Sequence, residues 1–78
     1  MNEYYNLIKS IELAYWLYID KNLNAPTHLL LLEEDYLVIS NELKEIYNSP
    51  TINYLSSYRG CRVIRCSNLE KGEILFTN

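Results

Sequence analysis

Four consecutive leucines close the segment HLLLL at residues 28–32, between Pro26 and the acidic triplet Glu33, Glu34 and Asp35. The run is far below the roughly 20 apolar residues that a membrane-spanning helix needs. Its length and borders fit a strand buried on both faces at the centre of a sheet, the spine of the core. A chain of 78 residues makes one domain, residues 1–78, and buries roughly 60% of the surface it exposes when unfolded. Stability of that order is marginal, so an oligomer or a partner would add to it.

The segments around the strand read as its cover. From Asn2 to about Asn22, Tyr4, Ile8, Ile11, Tyr15 and Tyr18 recur at helical steps, with Leu7 and Ala14 beside them. Asn22, Asn24 and Pro26 end that helix, because the Pro26 ring disfavours helix at Ala25. A second helix is expected over residues 33–49, opened by acids suited to the positive end of a helix and carrying Tyr36, Ile39, Leu43, Ile46 and Tyr47 at helical spacing. Residues 49–58 mix Ser, Pro, Asn and Thr and read as an irregular connection. CRVIRC and EILF then read as two strands of a hairpin, joined across SNLEKG, where Gly72 can take backbone angles closed to other residues. The fold class is therefore α+β: a long N-terminal helix, then strand, helix, strand and strand, with helices covering a small sheet.

Composition narrows the function classes. Apolar residues make up 49% and charged residues 22% of the chain, the balance of a folded domain with a core. A formal charge of −3 argues against direct nucleic-acid binding, which needs clustered Lys and Arg. No basic leader or long apolar run stands in the sequence, so the expected setting is the cytoplasm, with no membrane contact.

The chemistry-bearing residues do not assemble into a reaction centre by spacing. Cys61 and Cys66 are an odd number of residues apart, so a continuous strand points them to opposite faces. With His28 they fall short of the four ligands of a zinc site and lack a C-x-x-C spacing. No motif sets His28 beside a thiol as a base. Gly60 and Gly72 are too far apart in sequence to form a phosphate-cradling loop. The expectation is a protein that is not an enzyme and uses no cofactor or metal.

Two surfaces are better candidates. Leu13, Trp16 and Leu17 lie opposite the core stripe of the first helix, where a monomer would normally carry Lys and Glu, and Trp is enriched at binding hot spots. The alternative is that both faces of this helix are buried within the fold. Tyr58, Arg59, Arg62 and Arg65 form the second candidate, a positive edge suited to an acidic or backbone surface of a partner, with Arg62 and Arg65 expected on opposite sides of their strand.

From Pro26 onward the chain resembles the axial domain of tailed-bacteriophage major capsid proteins. The resemblance rests on Pro26 and Thr27, the leucines at 29–32, Tyr36, Gly60 with Val63, Ser67 with Asn68, and Gly72 with the apolar residues 74–76. It implies a phage-related protein whose business is protein–protein contact around capsomer axes, with no catalytic residues to carry over. The arm, spine helix and extended loop of a shell-forming subunit have no counterpart in the sequence. What remains is a capsid-associated or assembly-interfering factor whose partner is itself, a capsid protein or a host protein. The rival from another class is an acidic inhibitor of a host nucleic-acid enzyme or defence system, resembling anti-CRISPR or DNA-mimic proteins, that imitates phosphates with Glu33, Glu34, Asp35, Glu42 and Glu45.

Overall fold

The structure, a computed structural model, describes residues 3–47 and 56–78, apart from the side chains of residues 44, 46 and 47. Helix α1 (Glu3–Asn22) presents Leu7, Ile11 and Tyr15 to the core at steps of four, with Glu3 in its first turn and Lys21 in its last, each the sign that the helix dipole favours. The helix ends where Leu23 takes φ 60° and donates its N–H to the Ile19 carbonyl at 2.7 Å. Such left-handed closing residues are usually Gly or Asn, so Leu23 holds a conformation its side chain disfavours.

Strand β1 (His28–Leu32) runs straight into helix α2 (Glu33–Tyr47). Leu29 and Leu31 are fully buried, as are Ile11 of α1, Ile39 of α2 and Cys61. These side chains form one core with Leu7, Tyr15 and Tyr36. The acids opening α2 do more than complement its dipole. Asp35 is buried, and its carboxylate accepts the Gly72 N–H at 2.7 Å, fixing a turn whose glycine sits at φ 83°.

Strands β2 (Ser57–Tyr58), β3 (Cys61–Cys66) and β4 (Ile74–Thr77) complete a sheet of order β2-β3-β1-β4. Strand β1 pairs parallel with β3, Leu29 beside Val63, and antiparallel with β4, Leu29 beside Phe76. Thr27 stitches the end of the sheet: its N–H donates to the Thr77 carbonyl and its carbonyl accepts the Arg62 N–H, both at 2.9 Å. Both helices lie on one side of the sheet, α2 over β1 and β3, α1 beside α2 and against β4. The α+β class, the long first helix and the helix-covered small sheet all stand.

Three expectations need correcting. Residues 61–66 and 74–77 do not form a hairpin, because β1 lies between them. The connection over residues 67–73 is long enough to step across one intervening strand, and β1 gains partners on both edges by it. The hairpin is instead β2 with β3, turning on Arg59 and Gly60, both at positive φ (49° and 82°), the two-residue geometry that suits twisted strands. A short strand thus occupies Ser57 and Tyr58, within the segment read as irregular; residues 48–55 of it lie outside the described residues. Finally, β1 is central but buried on one face only. Leu30 and Leu32 are half-buried on the open face, where cross-strand neighbours Ile64 and Leu75 are exposed.

Two stability outcomes follow from these turns. Leu23 is 86% exposed, so Leu23→Asn sacrifices little burial and relieves the left-handed strain. Thermal unfolding should show a gain of about 0.5 kcal/mol. Asp35→Ala orphans the Gly72 N–H and should lose about 1–3 kcal/mol in chemical denaturation, whereas Asp35→Asn, which keeps an acceptor, should lose less.

Candidate functional site

The β2–β3 turn carries Arg59 to the flank of α1. Its Nη2 donates to Glu12 Oε2 at 2.5 Å, and the neighbouring Tyr58 hydroxyl donates to Glu12 Oε1 at 2.5 Å. The guanidinium lies 5.2 Å from the centre of the Tyr15 ring and 5.3 Å from that of Trp16, within cation–π range of both. Tyr15 in turn meets Trp16, Tyr58 and Phe76 edge-on, with ring centres 5.1, 6.0 and 5.6 Å away. Asn would suit the φ of 49° at this turn better than Arg. The residue present is the one whose side chain can clamp α1, and local strain held by tertiary contacts is a mark of such sites.

The cluster shifts its own titrations. The Tyr58 hydrogen bond is the main influence holding the Glu12 carboxyl below its usual value; partial desolvation opposes it, and the Arg59 hydrogen bond and charge add to the lowering. Burial, followed by the hydrogen bond to Glu12, pushes the Tyr58 phenol up. Spacing in the sequence does not mark Glu12 as a site residue, and it marks Tyr15 only as part of the core stripe of the first helix. The signal available for them was the Tyr-Arg-Gly turn, which requires a partner for Arg59 on whatever packs beside it.

Leu13, Trp16 and Leu17 are 63%, 50% and 58% exposed, so the outer face of α1 is uncovered. The helix period divides them. Trp16 leans toward Arg59, while Leu17 lines a groove of about 520 Å³ with Ala14, Tyr18, Lys21 and residues 74–76 of β4. The predicted positive edge is dispersed in a similar way. Tyr58 is half-buried against the core, and Arg59 belongs to the clamp. Arg62 is exposed in register with His28 on the open sheet face. Arg65 lies on the helix side, its guanidinium 4.9 Å from the Tyr36 ring and 3.9 Å from Glu33. Strand β2 flanks β3 only at Cys61 and Arg62, so Arg62 lies within the sheet, whereas among the described residues none pairs with β3 on that side at Arg65.

Cys61 is fully buried, its Sγ donating to the Pro26 carbonyl at 3.3 Å, and burial pushes its thiol pKa up. A thiol held protonated is a poor nucleophile and metal ligand. Cys66 is free and on the other face, beside Leu32. The His28 imidazole Nδ1 lies 2.8 Å from the Thr27 hydroxyl. Among the described residues no three His, Cys, Asp or Glu side chains gather as a metal site. Several of the acids expected to imitate phosphates are engaged within the chain: Glu33 with Arg65, Glu34 with Lys71 at 3.4 Å, and Asp35 with Gly72. No helix among the described residues is long and apolar enough to cross a membrane. Comparison with known families, with curated proteins and with solved structures finds no match to this chain.

The clamp gives stability a pH signature. A lowered Glu12 pKa means a contribution that is present above the ordinary value of 4.5 and lost as pH falls through the folded-state pKa. A raised Tyr58 pKa contributes below the ordinary value of 10.0 and is lost as pH rises through the folded-state pKa. The Tm difference between the native chain and Glu12→Gln should therefore hold level near neutrality, then shrink at both ends of a pH series.

Proposed function

We propose that this chain is a non-enzymatic, phage-related domain that works by binding protein through the outer face of α1, with Trp16 as its anchor. The observation that carries this reading is the pairing of exposure with preorganisation. Trp16 stands half out of the surface yet is braced by Arg59 and Tyr15, so little side-chain freedom is lost when a partner covers it. Leu13 widens the apolar area beside it. Large apolar side chains left uncovered on a small domain are a mark of an interaction surface.

The resemblance of residues 26–76 to a capsid axial domain supports the same class, a domain whose work is contact with other subunits. On this reading the partner is a capsid component, a second copy or a host protein met during infection, and the setting is the cytoplasm of the host cell. The acidic-inhibitor alternative has less support. Ion pairs and burial occupy Glu33, Glu34 and Asp35, which leaves Glu42 and Glu45 as the acids on that helix without a described ion-pair partner.

Trp16→Ala tests the reading. The side chain is half exposed, so unfolding should stay cooperative with a loss of about 1–2 kcal/mol, below the usual loss for a buried Trp. Association should weaken by about tenfold or more. Light scattering across a concentration series reads self-association, and affinity capture from infected cells reads external partners. A folded variant with unchanged mass and unchanged captured proteins would overturn the proposal.

A further inference from the structure

The two edges of the sheet are built differently. Strand β2 is two residues long and is followed at once by the Arg59 turn. Strand β4 is Ile-Leu-Phe-Thr, with neither a charge nor a proline, and among the described residues it is paired with β1 on one side only. Exposed strand edges are normally blunted by charge, proline or brevity, because their free N–H and C=O groups recruit another strand. β4 has none of these protections except its modest length, and the apolar groove lies along it.

The helix layer decides what fits there. Helix α2 lies over β1 and β3, and α1 lies on the far side of α2, against β4. Packed helices stand about 8–10 Å apart and strands about 4.8 Å apart, so the axis of α1 falls at, or roughly 2–3 Å beyond, the line of β4. It roofs the edge. Two copies pairing β4 with β4 across a two-fold axis would bring their α1 helices within roughly 5 Å of each other, well inside packing distance. A single extended strand, carrying no helix of its own, meets no such clash.

Charge selects among such strands. The groove wall is apolar at Ala14, Leu17 and Phe76, and toward the C-terminal end of α1 it presents Lys21. Lys21 has no ion-pair partner among the described residues, whereas Lys71, Arg59 and Arg65 each have one. We infer that the β4 edge under α1 is a peptide-binding groove, which takes an extended segment of alternating apolar residues bearing a carboxylate that reaches Lys21. The segment adds a fifth strand through main-chain hydrogen bonds, while its apolar side chains fill the space below Leu17. This inference rests on the reading of the chain as a protein-binding domain, but it uses a different surface from Trp16.

The test titrates the full isotopically labelled chain with a capped octapeptide alternating Val and Thr and ending on Asp, followed by amide chemical shifts and hydrogen exchange. Saturable shifts and slowed exchange should centre on residues 74–77. N-methylation of the peptide's strand-facing amides should weaken binding by about tenfold. Lys21→Glu, a surface change, should weaken it by about threefold and favour the same peptide ending on Lys. Lack of saturation at about 1 mM peptide, or equal binding by the N-methylated peptide, would overturn the inference. So would a discrete dimer whose β4 amides are already protected, since a second copy would then fill the groove. Peptide failure alongside loss of association in Trp16→Ala would sink the groove and leave the proposed function standing.

Discussion

Strand β1 has to be hydrogen-bonded on both edges, because Leu29 and Leu31 are fully buried and a desolvated backbone around them has no water to turn to. That requirement shapes the rest of the fold. One neighbour, β3, is parallel, and the chain between them crosses over the sheet through α2. The other, β4, is antiparallel and arrives from β3 by stepping across β1. Asp35 makes the step definite by holding Gly72 where β4 must start. The first turn of α2 and the last turn of the sheet therefore form as one unit.

A second constraint is that two helices cover one face of the four strands, while no described element covers the other. Each apolar strand residue of even number on β1, and its neighbours Ile64 and Leu75, must tolerate water or a partner. The clamp around Glu12 answers a related problem at the outer side of the helix layer. Helix α1 contacts β4 and α2, and the Arg59 turn adds a third attachment, to its exposed flank. The half-exposed ion pair alone contributes little. Its value lies in fixing the aromatic group of Tyr15, Trp16 and Tyr58, which orients Trp16 outward as a rigid, large apolar surface.

Much of the fold was legible because its signals are local. The stripe of Tyr4, Ile8, Ile11, Tyr15 and Tyr18 with Leu7 beside it, the break before Pro26 and the leucine strand each declare themselves within a few residues, and Leu7, Ile11 and Tyr15 are the ones that the fold buries. Strand order is not local. EILF pairs with β1, far away in sequence, and nothing in SNLEKG distinguishes a turn that returns beside β3 from one that passes over its neighbour. Strand β2 was too short to show a period of two, although Arg59 and Gly60 mark its turn. At the candidate site, the exposure of Leu13, Trp16 and Leu17 agrees with helix periodicity. The recruitment of Arg59 to Trp16 is a tertiary event that periodicity does not carry. The same holds for Asp35, which a sequence reads as one of three helix-opening acids and the fold uses as a buried acceptor.

The positions of Trp16 and of the β4 groove on either flank of one helix have a mechanical consequence. Helix α1 is attached to the sheet along Leu7, Ile11 and Tyr15, so a load on either flank is transmitted to the same core side chains. A strand seated under Leu17 presses on Phe76, and Phe76 meets Tyr15 edge-on. Tyr15 in turn meets Trp16 and lies beneath Arg59. The two surfaces are thus joined by a short chain of packed rings rather than by flexible backbone. Coupling between them requires only that seating a strand changes the freedom of Tyr15, because the order lost or gained there is shared with Trp16. In a domain this small the core is too thin to insulate one flank of a helix from the other.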